Sequence, residues 1–559
     1  MILLPAALGV LYVRAFGVSV VYFDAWSMVR LFDKWSSGTL GLVDLLDQHN
    51  EHRMFFAKGF ELLLAGITRY DNVIEMYVIQ ACFLATLVIL LLAFRDSVRA
   101  WLFVFVPVAF LVFSFRQYEN MLFGFQINFA FTQTFGVLAL LLLYVLGRRR
   151  FKKLAFAGAL GSATIASFST AQGLFVWPAG LLQLFFGPLE KRTKGILIAV
   201  WGLVGSAEWI GYFFDYSSPG GDRPSLLYAL YHPLVGAEYF LNLLGSSLFW
   251  RENSAFVGGL LLICLALVSL FLIYRNRGLG EYSFWISVLL YSFLILASIT
   301  LGRSGVFGAL QAMAPRYTTF SILAVASIYV MLAKTALEQR SRTAIVLLSA
   351  LAGIVLLSAA VSYSEGVEAG NKERVARERA AFVLSTYESQ PDEALTESLN
   401  PRARVVRERA PVLQKLGYNV FSEPLDLPEL STLSPVSSPT SLAVTIRGDG
   451  VSQQGQTIFV PEEASFVELT GWAVDDENES TAGGVYVDVD GRLFLAFYGA
   501  DRQDVADSSG VPSYRYSGFE RAIPVSELGT GAHELSVVVL TADRKGYYEP
   551  AEKVTLEVR

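Results

Sequence analysis

The apolar stretches that recur through residues 1–362 constrain the fold of this 559-residue chain more than any other feature of its sequence. Only 17% of the residues are charged, whereas soluble globular proteins carry about 25%. A stretch of about 20 apolar residues is long enough to cross a bilayer as a helix. We therefore predict an integral membrane protein, in which an ordinary polar region follows from residue 363.

About eleven stretches approach this length and are predicted to be helical spans. They are residues 1–21, 73–94, 100–115, 127–147, 154–169, 172–187, 195–214, 254–274, 281–301, 318–336 and 344–362. The first is predicted to remain in the mature protein, because it lacks the basic start and the cleavage site of a signal peptide. Between the fifth and sixth, the string Ser169-Thr170-Ala171-Gln172-Gly173 suits a broken or re-entrant turn.

Positive charge in every second loop predicts the orientation of these spans. The basic loops contain Arg95 and Arg99, Arg148 to Arg150 with Lys152 and Lys153, Lys191 to Lys194, Arg275 and Arg277, and Arg340 and Arg342. Loops rich in lysine and arginine stay in the cytoplasm. An odd number of spans then places residues 363–559 and the long loop 22–72 on the outer side of the membrane.

The outward loop 22–72 contains the densest polar cluster of the apolar region. Asp24 follows the first span, and the string Asp47-Gln48-His49-Asn50-Glu51-His52-Arg53 contains two of the chain's four histidines. Apolar residues at helical spacing on either side predict short amphipathic helices at the membrane surface. Such a cluster at a membrane surface indicates proton transfer, substrate binding or metal binding.

Metal binding is the least favoured interpretation of the two histidines. On a helix, His49 and His52 would be three residues apart and could share a face, as metal ligands do. However, the string does not match the His-Glu-x-x-His pattern of zinc hydrolases. A substrate-binding or catalytic role is preferred, and structural hydrogen bonding is the remaining alternative.

Acids and arginines also occur in three further outward loops. They are Arg116-Gln117-Tyr118-Glu119-Asn120 with Gly124-Phe125-Gln126; Asp215, Asp222, Arg223 and His232; and Arg303 with Arg316 and Tyr317. A carboxylate can act as a general base, and arginine binds phosphate through two hydrogen bonds. The alternative is that these boundary residues are only solvated.

We therefore predict one outward-facing site. Its predicted catalytic residues are Asp24 and Glu51, and its predicted substrate-binding residues are Asp47, His49, His52, Arg53, Arg116, Glu119, Asn120, Gln126, Arg303, Arg316 and Tyr317. No metal ligand is assigned. Glu75 and Glu208 are left out, because both can be placed near a helix end. The net charge of −6 gives no indication of a nucleic-acid partner.

The polar C-terminal part divides at a Pro/Ser-rich stretch around residues 431–441. Residues 363–440 are predicted to form a helical and linker segment. Residues 441–559 are predicted to form an all-β sandwich of Ig-like or jelly-roll type. The alternating runs behind this prediction are 441–446, 466–474, 484–489, 493–498, 533–540 and 553–558. Tyr514, Tyr516, Tyr547 and Tyr548 could stack on sugar rings, with core packing as the competing interpretation.

A carboxylate after the first span, a long first outward loop, about eleven spans and an outward C-terminal domain together resemble the GT-C superfamily of membrane glycosyltransferases. These enzymes use sugars linked to polyprenyl phosphate, and they include protein O-mannosyltransferases and lipid A aminoarabinose transferases. The resemblance covers residues 1–362. A catalytic acid early in the first outward loop corresponds to Asp24. Many members have an acidic pair there, but Ala25 follows here, which leaves Asp47 and Glu51 as other candidates for the base.

Three strings carry a more specific resemblance, to a bacterial family of largely uncharacterised membrane proteins usually regarded as glycosyltransferases. They are residues 47–53, residues 119–126, and residues 169–173 with Trp177 and Pro178. The resemblance implies an inverting transfer from a polyprenyl-phosphate sugar to a glycan, lipid or protein acceptor of the cell envelope. It also implies a multi-pass protein of a bacterial cytoplasmic membrane, with Arg303, Arg316 or Arg116 stabilising the leaving phosphate. Many members need no tightly bound metal, and some bind a divalent cation.

Two other classes of membrane protein have a similar number of spans. Polysaccharide polymerases and ligases depend on a large arginine-rich loop in the middle of the membrane region, whereas here the first loop is the richest in polar residues. A transporter or flippase is expected to show internal repeats and broken helices with charges near the midplane. The transferase is therefore the preferred hypothesis, the polymerase or ligase is the main alternative, and a lipid-linked glycan transporter is the weaker one.

Overall fold

The structure is a computed structural model that describes residues 1–97, 102–146, 152–217, 228–276, 278–423, 430–455, 457–548 and 553–559. The described residues form two compact units. The first unit consists of Met1–Val18 and Leu31–Glu373, and the second consists of Ser19–Arg30 and Arg374–Arg559. Helices predominate, and every described strand lies from Ser434 onward. Arg99, Arg148 to Arg150, Asp222, Arg223 and Arg277, which were used above to predict topology and loops, lie outside the described residues.

The first unit is built from helices. In chain order they are α1 (Leu4–Phe16), α2 (Trp26–Ser36, which begins in the second unit), α3 (Leu42–Leu46), α4 (Phe55–Thr68), α5 (Asn72–Ser97), α6 (Val106–Val112), α7 (Tyr118–Met121), α8 (Ile127–Val145), α9 (Lys152–Ser167), α10 (Val176–Phe186), α11 (Lys191–Phe213), α12 (Tyr228–Tyr231), α13 (Pro233–Gly245), α14 (Glu252–Arg275), α15 (Ser283–Phe307), α16 (Thr318–Glu338) and α17 (Arg342–Ser385). Short 3-10 helices join several of them.

Eight helical segments of the described chain are long and apolar enough to cross a membrane. They contain α5, α6 with α7, α8, α11, α14, α15, α16 and α17. Helices α1, α9 and α10, in the predicted spans 1–21, 154–169 and 172–187, are shorter. The prediction of a helical region with helices long and apolar enough to cross a membrane is therefore confirmed, and the count of eleven spans stays a prediction.

Burial differs sharply among these apolar helices. In α16, 94% of the most apolar 18-residue window is buried within the protein, whereas in α11 only 17% is. A helix that is apolar on all sides and buried belongs to the interior of a bundle. Helix α16 is therefore central to the first unit, while α11 leaves Leu203 and Ile210 more than 70% exposed on an apolar outer face.

The chain turns between α9 and α10, at the string that suits a broken helix. A 3-10 helix spans Ala171–Phe175, and the buried Thr170 hydroxyl lies 2.9 Å from the Thr132 hydroxyl of α8. A Cβ atom at Gly173 would lie 1.8 Å from the carbonyl oxygen of Ala166, so no larger residue fits there. The turn is thus fixed by backbone contact between its two arms.

The second unit combines helices with β-structure. Its helices after α17 are α18 (Asp392–Ser398), α19 (Ala403–Leu416), α20 (Gln503–Ser509) and α21 (Val525–Leu528). Its strands are β1 (Ser434–Val436), β2 (Leu442–Arg447), β3 (Ser452–Gln454), β4 (Thr457–Val460), β5 (Phe466–Asp475), β6 (Ser480–Thr481), β7 (Gly484–Val489), β8 (Arg492–Leu495), β9 (Phe497–Ala500), β10 (Gly518–Pro524), β11 (Gly531–Leu540), β12 (Gly546–Tyr548) and β13 (Val554–Val558). A C-terminal β-sheet region is therefore confirmed.

The strands form two sheets. The eight-stranded sheet has the order β1-β12-β11-β13-β4-β3, with β7 also paired to β11 and β8 to β7. The five-stranded sheet has the order β2-β5-β10-β9, with β6 paired to β5. Leu469 of β5 and Ile523 of β10 share a hydrophobic cluster with Val487 of β7 and Leu535 of β11. The two sheets therefore bury apolar side chains in a common core.

One buried carboxylate ties this β-structure together. Asp475, at the end of β5, is fully buried and accepts hydrogen bonds from the Tyr548 hydroxyl (2.5 Å), the Ala542 backbone N–H (2.7 Å) and the Asn478 amide (2.8 Å). Tyr514 is also buried, and its hydroxyl donates to Asp476 at 3.0 Å. Tyr514 and Tyr548 are therefore packing residues and cannot stack on a sugar as suggested from the sequence.

Candidate functional site

The polar string 47–53 forms a tight turn rather than a helix. His49 and His52 exchange two backbone hydrogen bonds of 2.8 Å, and Asn50 between them adopts a left-handed conformation with φ of 50°. The interpretation of the two histidines as neighbours on a helix is therefore wrong. Directly opposed residues of an antiparallel pair carry their side chains on one face. The two imidazoles thus share a face after all, by a different geometry.

The two imidazoles meet aromatic rings of the segment that leads into α8. His49 lies edge-on to Phe125 with 5.5 Å between ring centroids, and His52 lies edge-on to Phe129 at 6.5 Å. Nδ1 of His52 also accepts the Ala171 backbone N–H at 3.4 Å. Within the described ranges, no three side chains of His, Cys, Asp or Glu converge as metal ligands do.

Arg53 anchors this turn to the end of α11. Its guanidinium donates to the carbonyl oxygens of Tyr212 (2.8 Å), Phe214 (2.7 Å) and Leu46 (3.0 Å), while its backbone N–H donates to the Tyr212 hydroxyl (2.9 Å). A helix C-terminus leaves carbonyl groups unpaired and carries partial negative charge, so a cation there is stabilising. These contacts give Arg53 a structural task, whatever else it binds.

Glu51, in the same turn, forms an ion pair with Arg303 near the end of α15. Nη2 of Arg303 lies 2.8 Å from one carboxylate oxygen and 3.0 Å from the other. Both side chains keep about a quarter of their surface exposed, at 24% and 23%. Two predicted site residues that are 252 positions apart in sequence are thus brought together, and both remain reachable by a ligand.

A second ion pair joins Glu119 of α7 to Arg316, which precedes α16, with 3.1 Å between Nη1 and Oε2. The neighbouring Asn120 is buried, and its amide donates to the backbone oxygen of Arg316 at 2.7 Å and to Thr319 at 2.6 Å. The guanidinium of Arg316 also lies 5.2 Å from the ring centre of Tyr317. Asn120 therefore fixes the backbone that carries Arg316. The Arg316 side chain itself remains partly exposed.

Tyr239 of α13 lies within electrostatic range of both arginines of these ion pairs, and it was not among the predicted site residues. Its hydroxyl is close enough to Arg303 and Arg316 for both positive charges to act on it, although burial dominates and raises the pKa of Tyr239. The same hydroxyl donates to Gln311 at 3.4 Å. A single tyrosine in a mostly apolar helix gave no signal of its own. Only packing shows that Tyr239 belongs with the two arginines.

Arg116 is more buried than the other predicted arginines, with 4% of its surface exposed. Its guanidinium donates to the backbone oxygen of Met313 and lies 4.6 Å from the ring centre of Trp250. The Trp250 and Tyr118 rings are parallel, with 6.4 Å between their centroids. Trp250, in the loop between α13 and α14, was also missed. Arg116 thus belongs to an aromatic cluster and is less available than Arg303.

The remaining predicted residues, Gln126 and Asp47, differ in exposure and contacts. Gln126 is half-buried at the start of α8, and Asp47 is exposed, with its backbone oxygen bound to Lys58 at 2.7 Å. Gly124 lies directly on Glu75, since a Cβ atom there would come within 2.2 Å of the Glu75 carboxylate. This close approach explains the glycine in the string Gly124-Phe125-Gln126.

Glu61 of α4 is a buried acid that was not among the predicted site residues. It is 1% exposed, as is Glu75. Burial, and then the charge of Glu75, raise the pKa of Glu61, while Lys58 opposes this. A lysine and a glutamate three positions apart in an otherwise apolar helix were the available signal. The Glu61 carboxylate therefore belongs to the interior of the first unit.

An open apolar cavity of about 830 Å³ lies among α4, α5 and α8. Phe56 and Phe60 of α4 and Phe131 of α8 line it, together with mostly aliphatic and aromatic neighbours. The first lining residue of α4, Phe55, follows Arg53 by two positions. The turn that carries Glu51 therefore leads directly into one wall of an apolar cavity.

Asp24 is exposed and lies in a 3-10 helix, Phe23–Ala25, immediately before α2. It belongs to the second compact unit, whereas the other predicted site residues belong to the first. The ion pairs and the cavity described above are therefore features of the first unit alone.

Part of the chain is similar to a known but uncharacterized protein. Over 211 residues the chain is 25% identical to an uncharacterized protein of Archaeoglobus fulgidus. The matched part is 35% of this chain and 53% of the other protein, so the chain spans about half the length of the relative that it matches. No family model and no solved structure matches the chain.

Proposed function

We propose that this protein is a GT-C-like membrane glycosyltransferase, which transfers a sugar from polyprenyl phosphate to an acceptor on the outer face of the membrane. The observation that carries the proposal is the pairing of loop acids with loop arginines in the first unit. Glu51 meets Arg303 and Glu119 meets Arg316, across 252 and 197 positions of sequence, with both pairs partly exposed. Such an arrangement is expected where an anionic group binds.

The two arginines suit the phosphate of a lipid-linked donor. A guanidinium presents parallel N–H groups that match two phosphate oxygens. A phosphate entering the site would compete with Glu51 for Arg303, and Tyr239 lies near both arginines as a further hydroxyl. When the donor is cleaved, charge increases on the leaving phosphate, and fixed cations there stabilise the transition state.

The apolar cavity suits the lipid part of the same donor. Its volume of about 830 Å³ lies in the range typical of ligand sites, about 300–1,000 Å³. Its walls are almost wholly apolar, as an isoprenoid chain requires. Phe55 and Phe56 line it directly after the turn that carries Glu51, which supports a head group at the turn and a tail in the cavity.

Asp24 is the preferred general base. It is exposed, and it corresponds to the catalytic acid that the resembled superfamily places early in the first outward loop. In the proposed step the acceptor oxygen attacks the anomeric carbon as its proton passes to the carboxylate. The bond from that carbon to the phosphate oxygen breaks, its electron pair leaves on polyprenyl phosphate, and the configuration inverts.

The finer architecture also belongs to this proposal. The eight long apolar segments together with α1, α9 and α10 account for eleven spans, with the C-terminal unit outside a bacterial cytoplasmic membrane. The shared core of the two sheets supports a sandwich of Ig-like or jelly-roll type. A cell-envelope glycan, lipid or protein is the proposed acceptor. A polysaccharide polymerase or ligase remains the alternative, since it would use the same lipid-phosphate chemistry.

The proposal is tested with the full-length protein in lipid nanodiscs, supplied with radiolabelled polyprenyl-phosphate sugars and envelope extract as acceptor. Asp24→Asn is expected to lower transfer by about 100- to 10,000-fold, the usual contribution of a general base. Asp33→Asn is the matched control, because Asp33 is exposed in the same loop, and it is expected to retain activity. Full activity of Asp24→Asn would contradict the assigned base. Absence of transfer from every single-sugar donor, with transfer from a lipid-linked oligosaccharide, would favour the polymerase.

A further inference from the structure

The segment that carries Asp24 is integrated into the C-terminal unit, although it follows the first predicted span. Residues Ser19–Arg30 belong with Arg374–Arg559 in one compact unit. Tyr22 and Trp26 are buried there, at 5% and 1% exposure. Asp24, the candidate base, therefore belongs to the C-terminal unit. Its position directly after the first predicted span does not reveal this.

Both backbone polar groups of Phe23, the residue before Asp24, are bound by the end of α18. The Phe23 N–H donates to the carbonyl oxygen of Leu399 at 2.7 Å, and the Phe23 carbonyl accepts the side-chain amide of Asn400 at 3.2 Å. Phe23 has a φ of 46°, in the left-handed region. This conformation is unfavourable for a residue with a large side chain, and it persists only where the surroundings impose it.

Further contacts hold the segment on either side of Phe23. The Arg377 guanidinium lies 3.7 Å from the ring centre of Tyr22, and a guanidinium of α19, that of Arg409, donates to the Trp26 carbonyl at 2.5 Å. At the start of the segment, the Asn419 amide donates to the Ser19 hydroxyl at 3.2 Å. The segment is thus fixed at four successive points by residues that lie more than 350 positions later in the chain.

We propose that Asn400, which lies in the same unit as Asp24, is a positioning residue for that carboxylate. This inference rests on the proposed function, in which Asp24 is the base. Asn400 holds the carbonyl of a strained residue, and the direction of the next side chain depends on that conformation. A shift of about 1 Å in a reacting group can lower a rate about 100-fold. One hydrogen bond that restricts the Phe23 backbone can therefore have a measurable effect on the rate of transfer.

Asn400→Asp separates this role from folding. The Asn400 side chain also accepts the Arg402 backbone N–H at 3.1 Å, just before α19, and an aspartate retains that acceptor. It loses only the donor to Phe23 and places a carboxylate oxygen against the Phe23 carbonyl. We expect kcat for transfer to fall about 10- to 100-fold with little change in KM for the donor. Gln453→Glu introduces the same charge change at an exposed site on β3 and is expected to leave both constants unchanged.

A double-mutant cycle shows whether Asn400 acts through Asp24. If it does, Asn400→Asp lowers kcat in the otherwise native protein but adds nothing when Asp24 is already replaced by asparagine. Equal fold-losses in the two backgrounds would overturn the positioning role, as would native kcat for Asn400→Asp.

A cross-link tests the placement without a substitution at Asp24 or Asn400. With Cys82 and Cys264 replaced by alanine, Ser19→Cys and Asn419→Cys are introduced together in the full-length protein and oxidised. We expect a disulfide to form and the locked protein to keep its transfer activity. No disulfide, or loss of activity that returns on reduction, would overturn the inference. Failure of the proposed function looks different: Asp24→Asn would then keep full activity while the disulfide still forms.

Discussion

The carboxylate of Asp475 in the C-terminal unit and the Glu51–Arg303 pair in the first unit are the two most instructive polar arrangements of this protein. Asp475 is fully buried, and both its oxygens accept hydrogen bonds from groups of its own unit. Glu51 and Arg303 bind each other, yet about a quarter of each side chain stays exposed. The first arrangement is complete without a ligand, whereas the second leaves charged atoms within reach of one.

This difference separates structural from functional candidates among residues that look alike in the sequence. Asp475 and Glu51 are both acids beside short polar strings, and Arg53 and Arg303 are both arginines at the ends of apolar segments. Arg53 and Asp475 use their polar atoms on fixed internal partners. Arg303 uses one terminal nitrogen on a carboxylate that is itself partly exposed.

Removing the complete arrangement is expected to have the largest effect on stability. Asp475→Ala leaves the buried Tyr548 hydroxyl, and the N–H donors of Ala542 and Asn478, without this acceptor, at a cost of about 3 kcal/mol in the free energy of unfolding of the second unit. Hydrogen exchange of peptides from β5 and β11, measured in the full-length protein, reports this loss. Asp449→Ala, in an exposed turn, is the control and should change little. Unchanged protection of β5 would show that Asp475 is not the link described.

Arg53→Met is expected to have the next largest effect. It removes the cation that caps α11 and ties down the turn 47–53, at a cost of about 2 kcal/mol. Arg53→Lys should rescue little, because one ammonium group cannot reproduce the spread of a guanidinium over several carbonyls. Faster hydrogen exchange in the last turn of α11 is the readout, with Arg192→Met at the opposite end of the helix as control. Full rescue by lysine would argue for a purely electrostatic role.

Acid should weaken the second unit through Asp475. Burial acts to raise the pKa of this carboxyl, but hydrogen bonds from Tyr548, Ala542 and Asn478 outweigh it, so the pKa lies below its ordinary value. The resulting stability is present above about pH 4, the pKa of an unfolded aspartate, and is lost as the pH falls through the lower folded pKa. Unfolding of the second unit followed from pH 5 downward should show this loss. Asp475→Asn should flatten the profile, and an unchanged slope would assign the loss to other acids.

The incomplete arrangement should respond least in stability and most in ligand binding. Arg303→Gln and Glu51→Gln should each change the free energy of unfolding by less than about 1 kcal/mol, as for other partly exposed ion pairs. Their effects on the affinity for a short-chain polyprenyl phosphate should have opposite signs. Arg303→Gln removes a phosphate contact and weakens binding about tenfold, whereas Glu51→Gln frees Arg303 and strengthens it. Changes of the same sign would mean that the pair is structural, like Arg53.

Much of the fold could be predicted, because burial patterns are local in sequence. Strand β7 matches the run 484–489 from end to end, and the valines at every second position, Val485, Val487 and Val489, are all buried. The run 493–498 was predicted as one strand but is two, β8 and β9, which are separated at Ala496. Strand β10 was missed, because six of its seven residues are buried and the expected alternation is absent.

The candidate site could be predicted only in part. Acidic and basic side chains in apolar surroundings pointed to Glu51, Glu119, Arg303 and Arg316, and the structure pairs them. The pattern could not say which acid meets which arginine, because the partners are about 200 to 250 positions apart. Tyr239 and Trp250 gave no signal, since aromatic residues are common throughout the apolar part of the chain. The sequence did not distinguish the role of Arg53 from that of its polar neighbours, because two of its carbonyl partners lie about 160 positions away.

The sequence by itself determined that this chain has an apolar helical region followed by β-structure, because hydropathy and alternation are properties of short stretches. It also determined which residue types were available for chemistry. Only the tertiary structure decided that Asp24 belongs with the C-terminal unit, that Glu51 meets Arg303, and that Arg53 caps a helix. The reason is physical: a carboxylate or guanidinium takes its role from the partners that packing provides, and those partners come from distant parts of the chain.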